Sequence, residues 1–125
     1  MAIPKINLSP KEVNLELYSG DGVRFRLVVT DNDDAPVDIT GEMKAQIRTR
    51  RGTEDTPQAE FTVDLTDAAT GVAVLTLTGD QTHNLATVKD FNGFWDVQWT
   101  PSGEEPKTLV QGKVICEVDV TRAVV

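Results

Sequence analysis

Four consecutive positions carry side-chain oxygens, Asp31, Asn32, Asp33 and Asp34, and Asp38 lies four residues further on. Oxygens at that density are the donor type of a hard cation such as calcium. An EF-hand-type loop needs acidic ligands at alternate places, a glycine at the sixth and a glutamate at the twelfth. Counted from Asp31, the sixth residue is Pro36 and the twelfth is Glu42; counted from Asp33, they are Asp38 and Lys44. Neither frame supplies the glycine. The stretch therefore reads as a strand-to-strand turn, because Asp and Asn tolerate the left-handed conformation and bond to their own backbone, and Pro36 fixes the exit.

The other candidates fail on similar grounds. "SGDG" at 19–22 resembles a phosphate-binding loop, but Val23 and a strand pattern follow where that loop needs Lys-Ser or Lys-Thr and a helix. It is expected to be a tight turn. His83 is the sole histidine, with no concentration of partners around it for a triad or a zinc site, and is expected to be an exposed helix residue. Cys116, the sole cysteine, falls on an apolar parity where a small hydrophobe fits. Lys44, Arg48, Arg50 and Arg51 form the one basic stripe, read as a solvated face or, second, as a docking surface for an acidic neighbour. Trp95 and Trp99 share a parity and are expected between two sheets rather than along a ligand groove. No catalytic, cofactor-binding or metal-ligating residue is expected, and no cofactor.

These residues have to be positioned by strands. "VNLELY", "VRFRLVVT", "MKAQIRTR", "EFTVDLT", "VAVLTLT", "GFWDVQWT" and "TLVQGKVICEVDVT" each alternate apolar and polar residues with period two. Gly112 falls on the buried parity of the last run, where it predicts a bulge or bend. Turn chemistry separates the runs in "YSGDGV", "DDAPVD", "RRGTEDTPQ", "DAATGV" and "TPSGEEPK". Thr78 and Gln81 have the spacing of a capping box, which predicts one short helix over residues 80–86 crossing from one sheet to the other. The fold class is therefore all-β: a seven-stranded antiparallel β-sandwich, Ig-like in layout, with that one helix.

Length and charge narrow the function. The 125 residues suit one domain, here residues 12–122, with an N-terminal arm at 1–11 and a C-terminal tail at 123–125. A net charge of −8 opposes nucleic acid and anionic lipid as partners. The opening residues lack the apolar run of a signal peptide and no stretch is long enough for a membrane span, so the chain is expected to fold in the cytoplasm. Burial alone can stabilise it, since one cysteine makes no internal disulfide.

In chain order, the segments "DGVRFRLVVTDNDDAPVDITG", "VDLTDAATGVAVLTLTGDQTHNL" and "GFWDVQWTPSGEEPKTLVQGKVICEVDVTR" resemble the small β-sandwich domain of tailed-phage virion proteins, above all minor tail proteins of actinobacteriophages. They are also similar to the N-terminal domain of baseplate upper proteins. The carriers are Thr30 to Asp34, the exit Pro36 to Gly41, the turn at Gly71, "QTHNL", the aromatic strand Phe94 to Trp99, and "LVQGKV" at 109–114.

The resemblance implies a bacteriophage virion structural protein without catalysis. Since the chain stops at Val125 without room for a fibre, it implies a small minor tail, tail-tip or baseplate accessory subunit. Its partners would be other virion proteins, in multiple copies within a symmetric assembly, and one terminal arm would order against a partner. Capsid decoration or head–tail joining is the alternative within that class. A carbohydrate or host-surface binding module is the alternative outside it, with Tyr18 the one aromatic counted off the buried parity.

Overall fold

The computed structural model describes residues 11–50 and 57–118. Arg51, most of the "RRGTEDTPQ" turn, the C-terminal tail and the N-terminal arm apart from Lys11 lie outside the described residues. The strands are β1 (Lys11–Glu12), β2 (Leu15–Tyr18), β3 (Val23–Val28), β4 (Gly41–Arg48), β5 (Ala59–Glu60), β6 (Thr62–Asp64), β7 (Val72–Leu77), β8 (Phe91–Pro101) and β9 (Lys107–Glu117). A 3₁₀ turn at Ala68–Thr70 precedes β7, and helix α1 (Gly79–Leu85) follows it.

Period-two alternation makes these elements and also aims them. In β2 Leu15 and Leu17 are buried while Glu16 and Tyr18 face out, and in β4 Met43, Ala45 and Ile47 are buried opposite Lys44. The inward faces come from two sheets. One has the order β1-β9-β8-β4-β5 with β2 also on β9, and the other the order β3-β7-β6. This is the Ig-like sandwich layout expected from the sequence. Leu17, Ile39, Ile47, Leu75, Leu77, Val97 and Val114 form its interior.

Each of the seven runs supplies a strand, with three departures in detail. First, β1 and β2 run parallel to β9, with Lys11 opposite Val110 and Leu15 opposite Val114, so the larger sheet is mixed rather than antiparallel. Second, "EFTVDLT" is shared between the sheets: β5 pairs with β4, whereas β6 pairs with β7. The switch occurs at Phe61, whose amide still donates to the Ala45 carbonyl (2.9 Å) while its ring packs between the sheets against Phe25 and Trp95.

Third, the bulge is not at Gly112. The β8–β9 register shifts between Val97/Val110 and Gln98/Thr108, which leaves Leu109 as the extra residue, while Gly112 pairs in register with Trp95. Gly112 serves a close approach instead: a Cβ there would lie 1.9 Å from the Val13 carbonyl oxygen. That carbonyl turns inward and accepts the Trp95 indole N–H at 2.8 Å, which breaks the first strand into β1 and β2. Asn14 Oδ1 accepts the Lys113 amide (3.0 Å), filling the place of the missing ladder carbonyl.

Helix α1 begins where the capping box puts it. Thr78 Oγ1 accepts the Gln81 amide (3.2 Å) and Gln81 Oε1 accepts the Thr78 amide (2.8 Å). The helix links β7 in the smaller sheet to β8 in the larger, as the crossing connection should.

Candidate functional site

Three regions could carry function: the acidic loop, the polar cluster beneath α1, and the outer face of the larger sheet. The acidic loop is a self-contained turn. Thr30 and Pro36 form an isolated bridge, Asp31 Oδ1 accepts the amides of Asp33 (2.8 Å) and Ala35 (3.0 Å), and Asp34 takes a left-handed φ of 61°. Asp31 thus spends a carboxylate oxygen on the backbone of its own turn. Asp38 Oδ1 likewise accepts the Thr40 hydroxyl and amide, and these bonds hold its carboxyl below the usual range. Asp64 is lowered the same way by Thr66. Among the described residues no group of three or more His, Cys, Asp or Glu side chains is placed to hold a metal ion.

The cluster beneath α1 joins residues that the sequence keeps far apart. "SGDG" is a β-turn closed by the Asp21 amide on the Tyr18 carbonyl (3.0 Å), with Gly20 at the φ of 90° that such a turn requires. Thr82, fully buried on α1, accepts the Gly20 amide (3.1 Å) and donates to the Asp21 carbonyl (2.8 Å). Ser19 Oγ lies 3.3 Å from His83 Nδ1, and the Cys116 thiol is 3.5 Å from the Thr82 carbonyl.

A serine beside a histidine is the start of a nucleophile and base pair, so its geometry decides its use. Ser19 is buried at 2% exposure, and among the described residues the His83 ring has no hydrogen bond besides this one. An oriented base needs a third group, and a serine nucleophile needs access. The pair is a latch that ties α1 to the β2–β3 turn. Burial, with the charges of Asp90 and Asp21, pushes the Cys116 thiol up to about 11, so it stays protonated and unreactive at neutral pH. The sequence shows His83 on an exposed helix position, which it occupies, but not the Ser19 contact 64 residues away.

Trp95 and Trp99 are core residues. Trp95 stacks with Phe25 and Phe61 at centroid distances of 6.4 and 5.7 Å, and the Trp99 indole donates to the Thr40 carbonyl at 3.4 Å. Of the basic stripe, Lys44 and Arg48 lie on the outer face of β4, Arg50 follows that strand, and Arg51 lies outside the described residues. Lys44 pairs with Glu42 at 3.6 Å, and Arg48 donates to Gln46 Oε1 at 2.9 Å. A shallow depression of about 210 Å³ lined by Glu42, Lys44, Gln98, Thr100 and Pro106 lies on the same face.

That outer face also carries apolar residues. Tyr18 is 49% exposed and Ile115 40%. Glu16 pairs with Ile115 and Tyr18 with Glu117, so Tyr18 and Ile115 are diagonal neighbours on one face. Ile115 is opposite Asn92 and Lys113 is opposite Phe94, so Phe94 continues the diagonal onto β8. Phe94 therefore belongs to the outer face, and Tyr18 is not its sole aromatic. The alternation of "GFWDVQW" already separates Phe94 from Trp95, and this was the signal available in the sequence.

No protein-family model and no curated protein matches the chain. Among solved structures, the solution structure of an Ig-like domain from human cDNA is similar over 99% of this chain and 87% of that one. The identity is 11% and the TM-score 0.49.

Proposed function

We propose that this protein is a structural subunit of a bacteriophage virion, a small minor tail, tail-tip or baseplate accessory protein that works through protein–protein contacts. The observation that carries the reading is the outer face of the six-stranded sheet, where Tyr18, Ile115 and Phe94 form an apolar diagonal among charged neighbours such as Lys113 and Glu117. Such a face suits repeated weak contacts that symmetry multiplies. The ordered resemblance to tailed-phage sandwich domains gives the setting. Its carriers occupy junctions of this fold: the exit before β4, the turn into β7, the α1 crossing, and the β8–β9 pair. The test is to purify particles from a host carrying the gene and count copies of this chain. A few to a few tens per particle supports a tail or baseplate subunit, hundreds moves it to capsid decoration, and absence from particles refutes the virion reading.

The second reading, a carbohydrate or host-surface module, gains from Phe94 joining Tyr18 on the open face. A glycan array without hits refutes it.

A further inference from the structure

We infer that the free edge of β3 takes up residues 5–9 of a neighbouring copy of this chain as an added antiparallel strand, with Asn7 opposite Arg26.

Of the strands at the sheet edges β3 is the longest, and it pairs on one side only, with β7. The phase of that ladder says which groups the other side leaves open. The Val29 amide donates to the Gly71 carbonyl (2.8 Å), so the bonded positions continue through Leu27, Phe25 and Val23. The amides and carbonyls of Arg24, Arg26 and Val28 therefore point out of the sheet edge, and among the described residues no strand pairs with them there. The inward row is incomplete as well. Val23, Phe25 and Leu27 pack on the core yet stay half-buried, whereas Leu77, Leu75 and Ala73, opposite them on β7, are buried. A strand added at this edge gains a ladder and an apolar row together.

A second β3 does not suit the edge. Antiparallel self-pairing centred on Phe25 sets Arg24 against Arg26, and centred on Arg26 it sets that residue against its own copy. The sequence outside the described residues holds a better match. "KINLS", residues 5–9, alternates Ile6 and Leu8 with Lys5, Asn7 and Ser9 and is bounded by Pro4 and Pro10. With Ile6 and Leu8 turned to the core, the odd positions carry the bonds to β3, and both prolines fall on the parity whose nitrogens face away from it. The segment then covers the span from Arg24 to Val28. Charge sets direction and register. Lys5 opposite Val28, Asn7 opposite Arg26 and Ser9 opposite Arg24 keeps the lysine off both arginines, whereas a parallel strand over the same span sets Lys5 beside Arg24.

That register requires a second copy. Lys11 is the first residue of β1, and β1 and β2 run from it toward the turn into β3, so Lys11 lies about 20 Å from the end at which β3 begins. Ser9 opposite Arg24 would sit near that end, and two residues reach only about 7 Å. A chain's own arm cannot span the gap, so the strand comes from a neighbour.

The inference deepens the assembly role proposed above and rests on that role for the local concentration that an exchanged strand needs, but its test is independent of the virion. Full-length Asn7→Cys and Arg26→Cys chains, mixed in equal amounts under mild oxidation, are expected to form a disulfide heterodimer joining positions 7 and 26, identified by peptide mass spectrometry. Paired positions on antiparallel neighbours lie about 5.5 Å apart between Cα atoms, within reach of a disulfide. Cys116 is buried and takes no part. Arg24→Cys in place of Arg26→Cys should cross-link at least tenfold less. Sedimentation equilibrium of the unaltered chain is expected to show mass above the monomer in the micromolar range. Asn7→Pro removes an amide at a bonding position and should shift that transition at least tenfold upward in concentration, while Pro4→Ala should leave it in place.

Equal cross-linking at 24 and 26 overturns the inference, as does a transition that Asn7→Pro leaves unmoved or an unaltered chain that stays monomeric at millimolar concentration. In the double variant Asn7→Cys with Arg26→Cys, a bond formed within one chain overturns it too. A monomer found in virions refutes this exchange alone, whereas a strand-exchanged oligomer absent from virions refutes only the assembly role.

Discussion

Replacing Gly112 with alanine tests the least local feature of the fold. The new Cβ would sit 1.9 Å from the Val13 carbonyl oxygen and 2.6 Å from its carbon, both backbone atoms that no rotamer change can move. The β1–β2 crossing must lift away, and the Trp95 indole loses the acceptor it holds at 2.8 Å. Overpacking of this kind costs about 1–3 kcal/mol. An indole N–H left without a partner adds about 1–3 kcal/mol. The expected loss is therefore about 2–6 kcal/mol of a domain stability of about 5–15 kcal/mol. With a urea slope of about 2 kcal/mol per molar, the unfolding midpoint should fall by about 1–3 M, followed through tryptophan fluorescence. Amide exchange gives the mechanism: the Lys113 amide, held by Asn14 Oδ1, should lose protection before the β4–β8 ladder does. If Gly112 marked only a bend in open space, alanine would cost nothing measurable. A loss below about 0.5 kcal/mol with unchanged Lys113 protection would refute the close approach.

Three further outcomes follow from the same geometry. Thr82→Val keeps the shape but strands the Gly20 amide and the Asp21 carbonyl, and should cost about 1–3 kcal/mol by chemical denaturation; a neutral effect would show that the α1 latch is incidental. Cys116 should resist thiol reagents at pH 8 in the native state and react at once in urea. Because its pKa rises from 9.0 to about 11 on folding, its contribution to stability is whole below pH 9 and is lost as pH climbs through the folded value. Asp38 and Asp64 shift the other way. Their folded values lie below the ordinary 3.8, so what they contribute is present above that pH and is lost as pH falls through the lowered values. Carboxyl NMR titration should place both below their Thr40→Ala and Thr66→Ala counterparts, and coincident curves would refute the role of the hydroxyls.

Much of the fold is legible in the sequence because its signals are local. The alternation in "VNLELY" and "MKAQIRTR" sets which side chains are buried, and Thr78 with Gln81 fixes the start of α1 within a few residues. The acidic stretch at 31–38 is equally local: the hydrogen bonds that Asp31 and Asp38 accept come from Asp33, Ala35 and Thr40, all within a few positions, so the turn is legible from residue types and spacing.

Alternation fixes a strand's two faces but not its neighbours, since backbone groups are the same at every residue and any edge can pair with any other. The sequence by itself therefore determined that the chain is all-β with one capped helix, which side chains form the core, and that residues 31–38 turn back on themselves. Only tertiary structure decided that the first strand joins β9 in parallel, that Phe61 switches sheets, and that Gly112 makes room for Val13. It also decided that Ser19 meets His83 and that Tyr18, Ile115 and Phe94 align on one open face. Those contacts join residues 64, 82 and 99 positions apart, as in Ser19–His83, Val13–Trp95 and Asn14–Lys113. They exist only after burial has brought the two sheets together and chosen which edges remain free.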